Sequence, residues 1–465
     1  MNFDIIIIGS GPGGYVAAIR AAQLGKSVAI IEKESLGGIC LNWGCIPTKA
    51  LLKSAQVFNY IAHASDYGIS VMDAKADFGG MIKRSRNVAD GMSKGVTFLM
   101  KKNKINVILG TASLARGKKV VVTDAEGKKK EYTADHIIIA TGGRAKQLPN
   151  LPIDGKKIIG YREAMNLSSQ PKRMVVVGAG AIGIEFAYFY RSLGTEVTVV
   201  EFLEQGALPR EDAEVSKELG KVLTKSGIKI LANTSVEKVD TSGDVLKVHT
   251  KSRKDGAEQI IECDVVLSAA GVTPNIENIG LEVLGIETVK GFIKTDDYYN
   301  TNVPGIYAIG DVIPTPALAH VASAEGITCV EKIAGHHPEK IDYNNIPSCT
   351  YCMPEVASVG YTEADAKAKG YEIKIGKFPF SASGKASAAG AKDGFVKVIY
   401  DAKYGELLGA HMIGYNVTEL IAEIVVARKL ETTGYEILKS IHPHPTMSEA
   451  VMEATAAAYG EVIHL

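Results

Sequence analysis

The 465-residue sequence predicts an α/β protein, because one supersecondary pattern occurs twice and is followed by a region of different character. In each copy of the pattern, a short apolar strand leads into a G-x-G-x-x-G motif, a helix and a second strand that ends in glutamate. From residue 345 onward, antiparallel-type strands and helical segments replace this pattern. The predicted fold class is therefore α/β, with two Rossmann-like dinucleotide-binding domains plus a C-terminal α+β domain.

The first copy of the pattern lies near the N-terminus, and each of its parts has a physical role. Glycines let the backbone approach a pyrophosphate, and the N–H groups at the start of the helix point at it. The glutamate accepts a hydrogen bond from a ribose hydroxyl. In chain order, this copy contains the strand Asp4–Ile8, the glycines Gly9, Gly11 and Gly14, a helix to about Leu24, the strand Val28–Ile31 and Glu32.

The second copy repeats these parts with the same spacing. In both copies the first glycine and the glutamate are 23 residues apart, near the expected offset of about 20 residues. One such motif is weak evidence, but two motifs that each follow a strand and open a helix predict two bound dinucleotides. The second copy contains Met174–Val177, the glycines Gly178, Gly180 and Gly183, a helix to about Leu193, Val197–Val200 and Glu201.

Each copy is followed by a later apolar strand that ends in small residues, which allow a cofactor to come close. These strands are His136–Ile139, before Ala140-Thr141-Gly142-Gly143, and Asp264–Leu267, before Ser268-Ala269-Ala270-Gly271. A third strand, Gly305–Asp311, is predicted to return the chain to the first nucleotide domain. Asp311, at its end, could bind a sugar or ribityl hydroxyl.

Cys40 and Cys45 lie shortly after the first fingerprint, so a potential dithiol shares a domain with a potential redox cofactor. Residues five apart in a regular helix rise about 7.5 Å, which exceeds the usual Cα separation of roughly 4.4–6.8 Å in a disulfide. A bridge between them therefore requires a distorted turn, for which the sequence supplies Gly37, Gly38 and Gly44. Pro47 is expected at the first helical position, with Cys45 just before a helix N-terminus that favours a thiolate. The alternatives are a structural bridge or two unrelated buried cysteines.

The C-terminal region contains a second candidate for chemistry, in the run from His442 to Glu449. Prolines flank His444, and Glu449 is expected to open a helix close to it. A histidine oriented by a carboxylate is a general base suited to neutral pH. His442 is the rival within the motif, and a plain loop histidine is the alternative. The surrounding elements are predicted as antiparallel strands Phe395–Tyr400 and Leu407–Ile413 and helices Thr418–Lys429 and Ser448–Tyr459.

Composition limits the possible functions. Lys+Arg and Asp+Glu number 52 each, so no overall basic field attracts nucleic acid or an anionic membrane. No apolar run reaches the roughly 20 residues that span a bilayer, and the apolar N-terminal run is expected to be a core strand rather than a signal peptide. Six cysteines are too few for a disulfide scaffold, which predicts a cytoplasmic protein.

Taken together, these motifs resemble the flavoprotein disulfide reductase family over the whole chain, and within it the branch that oxidises dihydrolipoamide. The resemblance rests on the Gly37–Leu52 segment, the Ala140–Gly143 turn, the Gly305–Asp311 segment, Leu318-Ala319-His320 and the His444–Glu449 run. It implies FAD and NAD as cofactors and a homodimer whose active site is shared across the interface. It also implies a partner that carries the substrate, either the lipoyl domain of an acyltransferase or the H protein of glycine cleavage.

The resemblance also assigns roles to residues. Cys40 would be the interchange cysteine, Cys45 would face the flavin, His444 held by Glu449 would be the base, and Lys49 would pair with Glu185 beside the flavin. FAD would be bound by Gly9, Gly11, Gly14, Glu32, Lys49, Ala112, Thr141, Gly142, Asp311 and Ala319. NAD would be bound by Gly178, Gly180, Gly183, Glu201, Val236 and Gly271. The implied domains are 1–145 for FAD, 146–272 for NAD, 273–344 as a central segment and 345–465 for dimerisation.

Other members of the family fit less well. Glutathione reductases have Tyr, Ala and basic residues where this chain has Ala181, Gly183 and Glu201, so NADPH is disfavoured. Mercuric reductases end in a cysteine pair, which the last residues here lack. A non-catalytic scaffold is the remaining alternative. The C-x-x-C formed by Cys349 and Cys352 is expected to be packing, with no metal site.

Overall fold

A computed structural model describes residues 2–465 of the chain. Its strands are β1 (Asn2–Ile8), β2 (Val28–Glu32), β3 (Asn106–Leu109), β4 (Thr111–Ala115), β5 (Lys119–Thr123), β6 (Lys129–Ile139), β7 (Gly143–Ala145), β8 (Ile158–Ile159), β9 (Arg173–Val177), β10 (Glu196–Val200), β11 (Lys229–Leu231), β12 (Thr234–Asp240), β13 (Leu246–Ser252), β14 (Glu258–Cys263), β15 (Val265–Ser268), β16 (Val272–Pro274), β17 (Thr288–Val289), β18 (Phe292–Ile293), β19 (Ile306–Ala308), β20 (Ser348–Thr350), β21 (Glu355–Gly360), β22 (Ile373–Pro379), β23 (Phe395–Asp401) and β24 (Leu407–Gly414).

The α-helices are α1 (Pro12–Gln23), α2 (Gly38–Trp43), α3 (Cys45–Ala62), α4 (Phe78–Lys102), α5 (Tyr161–Ala164), α6 (Ala181–Ser192), α7 (Ala213–Lys225), α8 (Leu281–Leu284), α9 (Ala319–Ile333), α10 (Glu363–Ala368), α11 (Gly384–Ala388), α12 (Val417–Lys429), α13 (Gly434–Lys439) and α14 (Glu449–Tyr459). The chain divides into two compact units. Unit 1 comprises the chain up to Leu51, Gly80–Lys146 and Val272–Tyr343; unit 2 comprises Leu52–Gly79, Gln147–Gly271 and Asn344–Leu465.

Unit 1 is built on a seven-stranded sheet in the order β3-β2-β1-β6-β5-β4, with β19 paired to β6. Strands β1, β2, β3, β6 and β19 run parallel, whereas β4 and β5 form antiparallel pairs next to β6. The unbroken apolar run of β1 is buried, as expected for a parallel strand covered on both faces. The pairing of β19 with β6 confirms the return predicted for Gly305–Asp311, although the strand itself covers only Ile306–Ala308.

Close helix packing in unit 1 depends on glycine. A Cβ added to Gly14 would collide with the carbonyl oxygen of Gly9, and one added to Gly326 on α9 would collide with that of Gly13 on α1. Gly11 has nothing within 4 Å on its Cβ side. The fingerprint therefore packs tightly against its own unit while one side of its turn stays open.

Unit 2 contains the second copy of the pattern, as predicted. Its five-stranded parallel sheet has the order β11-β10-β9-β15-β8. Here too, a Cβ on Gly183 would collide with the Gly178 carbonyl oxygen, and Gly180 has nothing within 4 Å. A three-stranded antiparallel sheet, β12-β13-β14, belongs to the same unit.

The C-terminal part of unit 2 is an antiparallel sheet in the order β20-β21-β24-β23-β22 with helices packed on it. The predicted antiparallel pairing of Phe395–Tyr400 with Leu407–Ile413 is confirmed by β23 and β24. The predicted helices agree with α12 and α14 to within one residue at their starts.

A buried ion cluster ties α7 to this C-terminal sheet. The ammonium group of Lys397 on β23 lies 3.1 Å from Asp212, 2.8 Å from Glu214 and 2.8 Å from Glu363. Lys397 and Asp212 are almost fully buried, at 1% and 3% exposure. The three carboxylates are balanced by three cations, because Glu214 also pairs with Lys377 and Glu363 with Lys367. Hydrogen bonds from Lys367 first and then Lys397 lower the pKa of Glu363 to about 2.

Candidate active site

Cys40 and Cys45 form a disulfide in the structure, with a Cα separation of 4.7 Å. The bridge is reached by the kind of break that the glycines predict: α2 ends at Trp43, Gly44 departs from helical geometry, and α3 begins at Cys45. Gly37 and Gly38 before it have φ of 97° and 58°, which favour glycine. The two sulfurs thus belong to two consecutive helices, the short α2 and the longer α3, rather than to one.

The helix start differs by two residues from the prediction. We expected Pro47 at the first helical position and Cys45 just before it, but α3 begins at Cys45 and Pro47 is its third residue. Proline is tolerated there because N–H groups in the first turn of a helix have no intrahelical acceptor. Cys45 therefore lies in the first turn, where the helix dipole favours a thiolate.

The two fingerprint glutamates have matching surroundings. The carboxylate of Glu32 accepts hydrogen bonds from the N–H and the hydroxyl of Ser10 (3.0 and 2.6 Å) and from the N–H of Glu34 (2.9 Å). In unit 2, Glu201 accepts from the N–H groups of Ala179 (2.7 Å) and Leu203 (2.8 Å). Each carboxylate is buried and oriented at the end of its strand, where a ribose hydroxyl would donate to it.

The fingerprint turns have the chemistry of an anion site. Helices α1 and α6 begin after Gly11 and Gly180, and no side chain caps either helix. Their first N–H groups are therefore left for a phosphate, and the open side of each glycine leaves room for it. A pyrophosphate-containing group fits each of the two turns.

The other residues assigned to FAD lie in unit 1. Thr141 donates its hydroxyl to Asn275 O (2.6 Å), and Asn275 N donates to Gly142 O (2.8 Å), which fixes the turn after β6. Ala112 is buried on β4, and Ala319 is the first residue of α9. Burial raises the pKa of Asp311, and hydroxyl groups donating to its carboxylate would oppose that rise.

A buried carboxylate that the sequence does not mark holds the backbone next to Asp311. Glu325 accepts a hydrogen bond from Gly310 N (2.6 Å) and another from the Tyr343 hydroxyl (2.9 Å). Burial raises the pKa of Glu325. No local motif marks Glu325, because its partners lie on other elements.

The remaining residues assigned to NAD lie in unit 2. Gly271, after β15, has φ of 100°, and Val236 is buried on β12. Next to Glu201 the structure adds a residue that the sequence did not suggest: the guanidinium group of Arg253 lies 3.8 Å from the centre of the Phe202 ring. Arg253 also donates to Phe202 O (3.0 Å). A cation therefore contacts the residue that follows Glu201, the glutamate of the second fingerprint.

His444 and Glu449 form the predicted pair. The His444 Nδ1 atom lies 2.8 Å from Glu449 Oε1, and the N–H of Thr446 donates to Glu449 Oε2 (2.8 Å). Burial opposes ionisation of Glu449, but the hydrogen bonds from Thr446 and His444 together hold its pKa below the ordinary value. The His444 side chain is 78% exposed, so its Nε2 edge is open to a substrate.

The rival histidine is engaged elsewhere. His442 Nε2 lies 2.8 Å from Glu423 and its Nδ1 lies 3.1 Å from Ser440 O, so both ring nitrogens have partners. The hydrogen bond to Glu423 raises the pKa of His442. With its side chain only 7% exposed, His442 suits a structural role better than that of a base.

The predicted pairing of Lys49 with Glu185 stays a prediction. Lys49 lies on α3 in unit 1. Glu185 lies on α6 in unit 2, is buried, and accepts a hydrogen bond from Tyr351 N (3.0 Å). A buried carboxylate with a fixed orientation suits a role as an ion-pair partner.

Cys349 and Cys352 are not joined in a disulfide, and the thiol of buried Cys352 donates to Pro354 O (3.1 Å). Within residues 2–465, no cluster of three or more His, Cys, Asp or Glu side chains is placed to hold a metal ion. Across the same residues, no helix has the length and apolar character needed to cross a bilayer.

Comparison with known proteins agrees with this geometry. Residues 3–326 match the family model of pyridine nucleotide-disulphide oxidoreductases, and residues 346–455 match that family's dimerisation domain. The chain is 51% identical to a dihydrolipoyl dehydrogenase of Rhizobium etli, over 100% of this chain and 99% of the relative. It is 49% identical to one from Zymomonas mobilis, with the same coverage. The crystal structure of LpdA from Mycobacterium tuberculosis superposes with a TM-score of 0.90 at 27% identity, covering 97% of this chain and 98% of that one.

Proposed function

The chain belongs to the pyridine nucleotide-disulphide oxidoreductase family, and from this premise we propose that it works as a dihydrolipoyl dehydrogenase. It oxidises dihydrolipoamide to lipoamide and reduces NAD⁺ to NADH, with FAD as the internal carrier. The observation that carries the proposal is the Cys40–Cys45 disulfide, formed in the unit that bears the first dinucleotide fingerprint. Full-length likeness to dihydrolipoyl dehydrogenases supports the choice of substrate.

The proposed reaction begins at His444. Because Nδ1 is hydrogen-bonded to Glu449, Nε2 is the nitrogen left to accept a proton from a thiol of dihydrolipoamide. The resulting thiolate attacks the sulfur of Cys40, the Cys40–Cys45 bond breaks, and Cys45 leaves as a thiolate. The second substrate thiol then passes its proton to the departing Cys40 and attacks the substrate sulfur that is joined to Cys40. The mixed disulfide breaks, lipoamide is released, and the cysteine pair is left reduced, as the Cys40 thiol and the Cys45 thiolate.

The thiolate of Cys45 is stabilised by its place in the first turn of α3. When bound, FAD would supply the two-electron chemistry that connects this dithiol to hydride formation on NAD⁺. Glu32 and the Gly9–Gly14 turn would hold the adenosine and pyrophosphate of FAD, and Asp311 would hold its ribityl chain. Glu201 and the Gly178–Gly183 turn would hold NAD⁺ in the same manner. Lys49 and Glu185 would pair beside the flavin.

The protein is a homodimer, since residues 346–455 match the dimerisation domain of the family. We propose further that His444 and Glu449 of one subunit serve the disulfide of the other. Large apolar side chains exposed in this region support an interface there: Val426, Leu430, Tyr435 and Ile441 are 58%, 70%, 63% and 99% exposed.

The proposed substrate carrier is the lipoyl domain of an acyltransferase or the H protein of glycine cleavage. The proposed compartment is the cytoplasm, where few structural disulfides form.

Anaerobic turnover with alternative substrates tests this proposal. The FAD-loaded protein is mixed with NAD⁺ and dihydrolipoamide, and separately with NADPH and either oxidised glutathione or Hg²⁺. We expect rapid NADH formation from dihydrolipoamide and none with Cys45→Ser. Faster turnover with glutathione or Hg²⁺ than with dihydrolipoamide would contradict the proposal.

A further inference from the structure

Helix α4 holds the segment that carries the redox cysteines by a row of side chains that bond to backbone carbonyl groups. Arg84, Ser85, Arg86 and Ser93 donate to Ala50 O (2.7 Å), Pro47 O (2.8 Å), Asn42 O (2.7 Å) and Leu36 O (2.9 Å), respectively. Of these four acceptors, only Asn42 lies between Cys40 and Cys45. Arg86 is therefore the member of the row that reaches the turn closed by the disulfide.

Arg86 has a second contact with the same turn. Its guanidinium group lies 4.6 Å from the centre of the Trp43 ring, a cation–π distance. The indole Nε1–H of Trp43 donates to Glu34 Oε1 (2.9 Å), so the ring is held on one face and at one edge. Burial lowers the pKa of Arg86 and the charge of Asp90 opposes that effect. Arginine has so high an ordinary pKa that the guanidinium group stays charged.

These contacts matter most when the disulfide is open. In the oxidised chain the S–S bond itself closes the turn through Asn42, Trp43 and Gly44. In the dithiol that closure is lost, and Gly44 offers little resistance to a change of backbone conformation. A turn held by outside contacts keeps the two sulfurs near each other, which raises their effective concentration for re-forming the bond.

We propose that Arg86 is a positioning residue that holds the Asn42–Gly44 turn in both oxidation states and thereby favours re-formation of the Cys40–Cys45 disulfide. This inference rests on the proposed function only in that the cysteine pair must be reducible. Arg84 is the matched control, because it also lies on α4 and donates to a backbone carbonyl group at the same distance, but outside the turn.

The test measures the thiol–disulfide equilibrium of the FAD-loaded protein. Wild type, Arg86→Met, Arg86→Lys and Arg84→Met are equilibrated in buffers of reduced and oxidised dithiothreitol, trapped by alkylation, and analysed for labelled Cys40 and Cys45 by mass spectrometry. We expect the Arg86→Met equilibrium to shift about tenfold toward the dithiol, which is roughly 30 mV for a two-electron couple. Arg86→Lys keeps the charge but loses the planar fork, so it is expected to lie between wild type and Arg86→Met. Arg84→Met is expected to match wild type.

Fluorescence gives a second readout, because Trp43 is the single tryptophan of the chain. Its anisotropy is expected to change little on reduction of the wild type and to fall on reduction of Arg86→Met. If Arg86→Met does not fold, Arg86→Lys and Trp43→Phe provide the same equilibrium measurement, each with a shift toward the dithiol. Equilibria within twofold of wild type in the folded Arg86 variants, or an equal shift in Arg84→Met, would overturn the proposal. This equilibrium is measured without dihydrolipoamide or NAD⁺. A wild-type disulfide that is reversible here, in a protein that shows no turnover in the separate dihydrolipoamide assay, would refute only the proposed function.

Discussion

Replacing Glu201 tests how the second fingerprint chooses its cofactor. The carboxylate is fixed by the N–H groups of Ala179 and Leu203, so it cannot easily turn away from a ribose 2′ position. In NADP⁺ that position carries a phosphate. Two unit charges about 4 Å apart repel by about 1 kcal/mol in water and about 4 kcal/mol at the effective dielectric constant of a protein surface. Since 1.4 kcal/mol is tenfold, these values correspond to a kcat/KM preference for NAD⁺ over NADP⁺ of about fivefold to about 10³-fold, and the burial of Glu201 places the expected preference toward the upper end.

Glu201→Gln removes the charge with little change in size, and it should narrow this ratio by at least about tenfold. Glu32→Gln is the matched control, because Glu32 has the same place in the first fingerprint and should alter FAD retention without changing the ratio. Arg253 adds a second step. In the Glu201→Gln variant, the guanidinium group of Arg253, which lies over Phe202, attracts the phosphate of NADP⁺. Adding Arg253→Ala to Glu201→Gln should therefore restore part of the preference for NAD⁺.

The assay is steady-state NADH or NADPH formation from dihydrolipoamide, with cofactor affinity measured separately by fluorescence titration. Equal kcat/KM for the two cofactors in the wild type would refute the reasoning. So would a ratio that Glu201→Gln leaves unchanged.

Three further outcomes are expected. After reduction, Cys40 should be alkylated before Cys45 because Cys40 must meet substrate. Of the two single variants, Cys40→Ser should keep the long-wavelength thiolate-to-flavin absorption and Cys45→Ser should lose it. Retention of that band in Cys45→Ser would reverse the two roles. Lys397→Met should lower the free energy of unfolding by about 3–5 kcal/mol, because it leaves the buried carboxylate of Asp212 without its cation, and a urea melt that does not move would contradict this. The pair of His442 with Glu423 should stabilise the fold below about pH 6 and lose that effect as pH rises through the raised pKa of His442. Glu423→Gln should therefore lower the urea midpoint more at acidic than at alkaline pH. An equal loss of stability at both pH values would contradict this role of the pair.

The sequence was most informative where the signal is local. Glu32 and Glu201 could be placed because the βαβ pattern sets their distance from the first glycine, and the structure shows the same two-sided backbone support for both. The break between Cys40 and Cys45 could be predicted because a continuous helix would hold them too far apart. The start of α3 was placed two residues late because proline is tolerated throughout the first helical turn, not only at its first position.

Side chains whose partners lie far along the chain could not be predicted. Arg86 meets Asn42 and Trp43 from a helix more than one element away, and no spacing rule marks it. Glu325 and Arg253 escaped notice for the same reason, although each supports a segment next to a predicted site residue. The neutral overall charge likewise does not predict that buried Lys397 gathers three carboxylates around its ammonium group.

The central claim is that each active site joins the disulfide of one subunit to the base of its partner. Cys45→Ser and His444→Ala homodimers should both be nearly inactive, since loss of a general base typically costs about 10²–10⁴-fold. A mixed dimer has one doubly damaged site and one intact site, because the intact cysteines of the His444→Ala chain meet the intact histidine of the Cys45→Ser chain.

The most direct measurement is therefore the activity of mixed dimers. The two variants, carrying different tags, are unfolded and refolded together in equal amounts, and dimers that carry both tags are isolated and assayed for NADH formation from dihydrolipoamide. Random pairing makes half the dimers mixed, so about a quarter of all sites in the unsorted mixture should recover, and the purified mixed dimers should have about half the wild-type activity. Purified mixed dimers that bind FAD but are no more active than either parent homodimer would contradict the shared site.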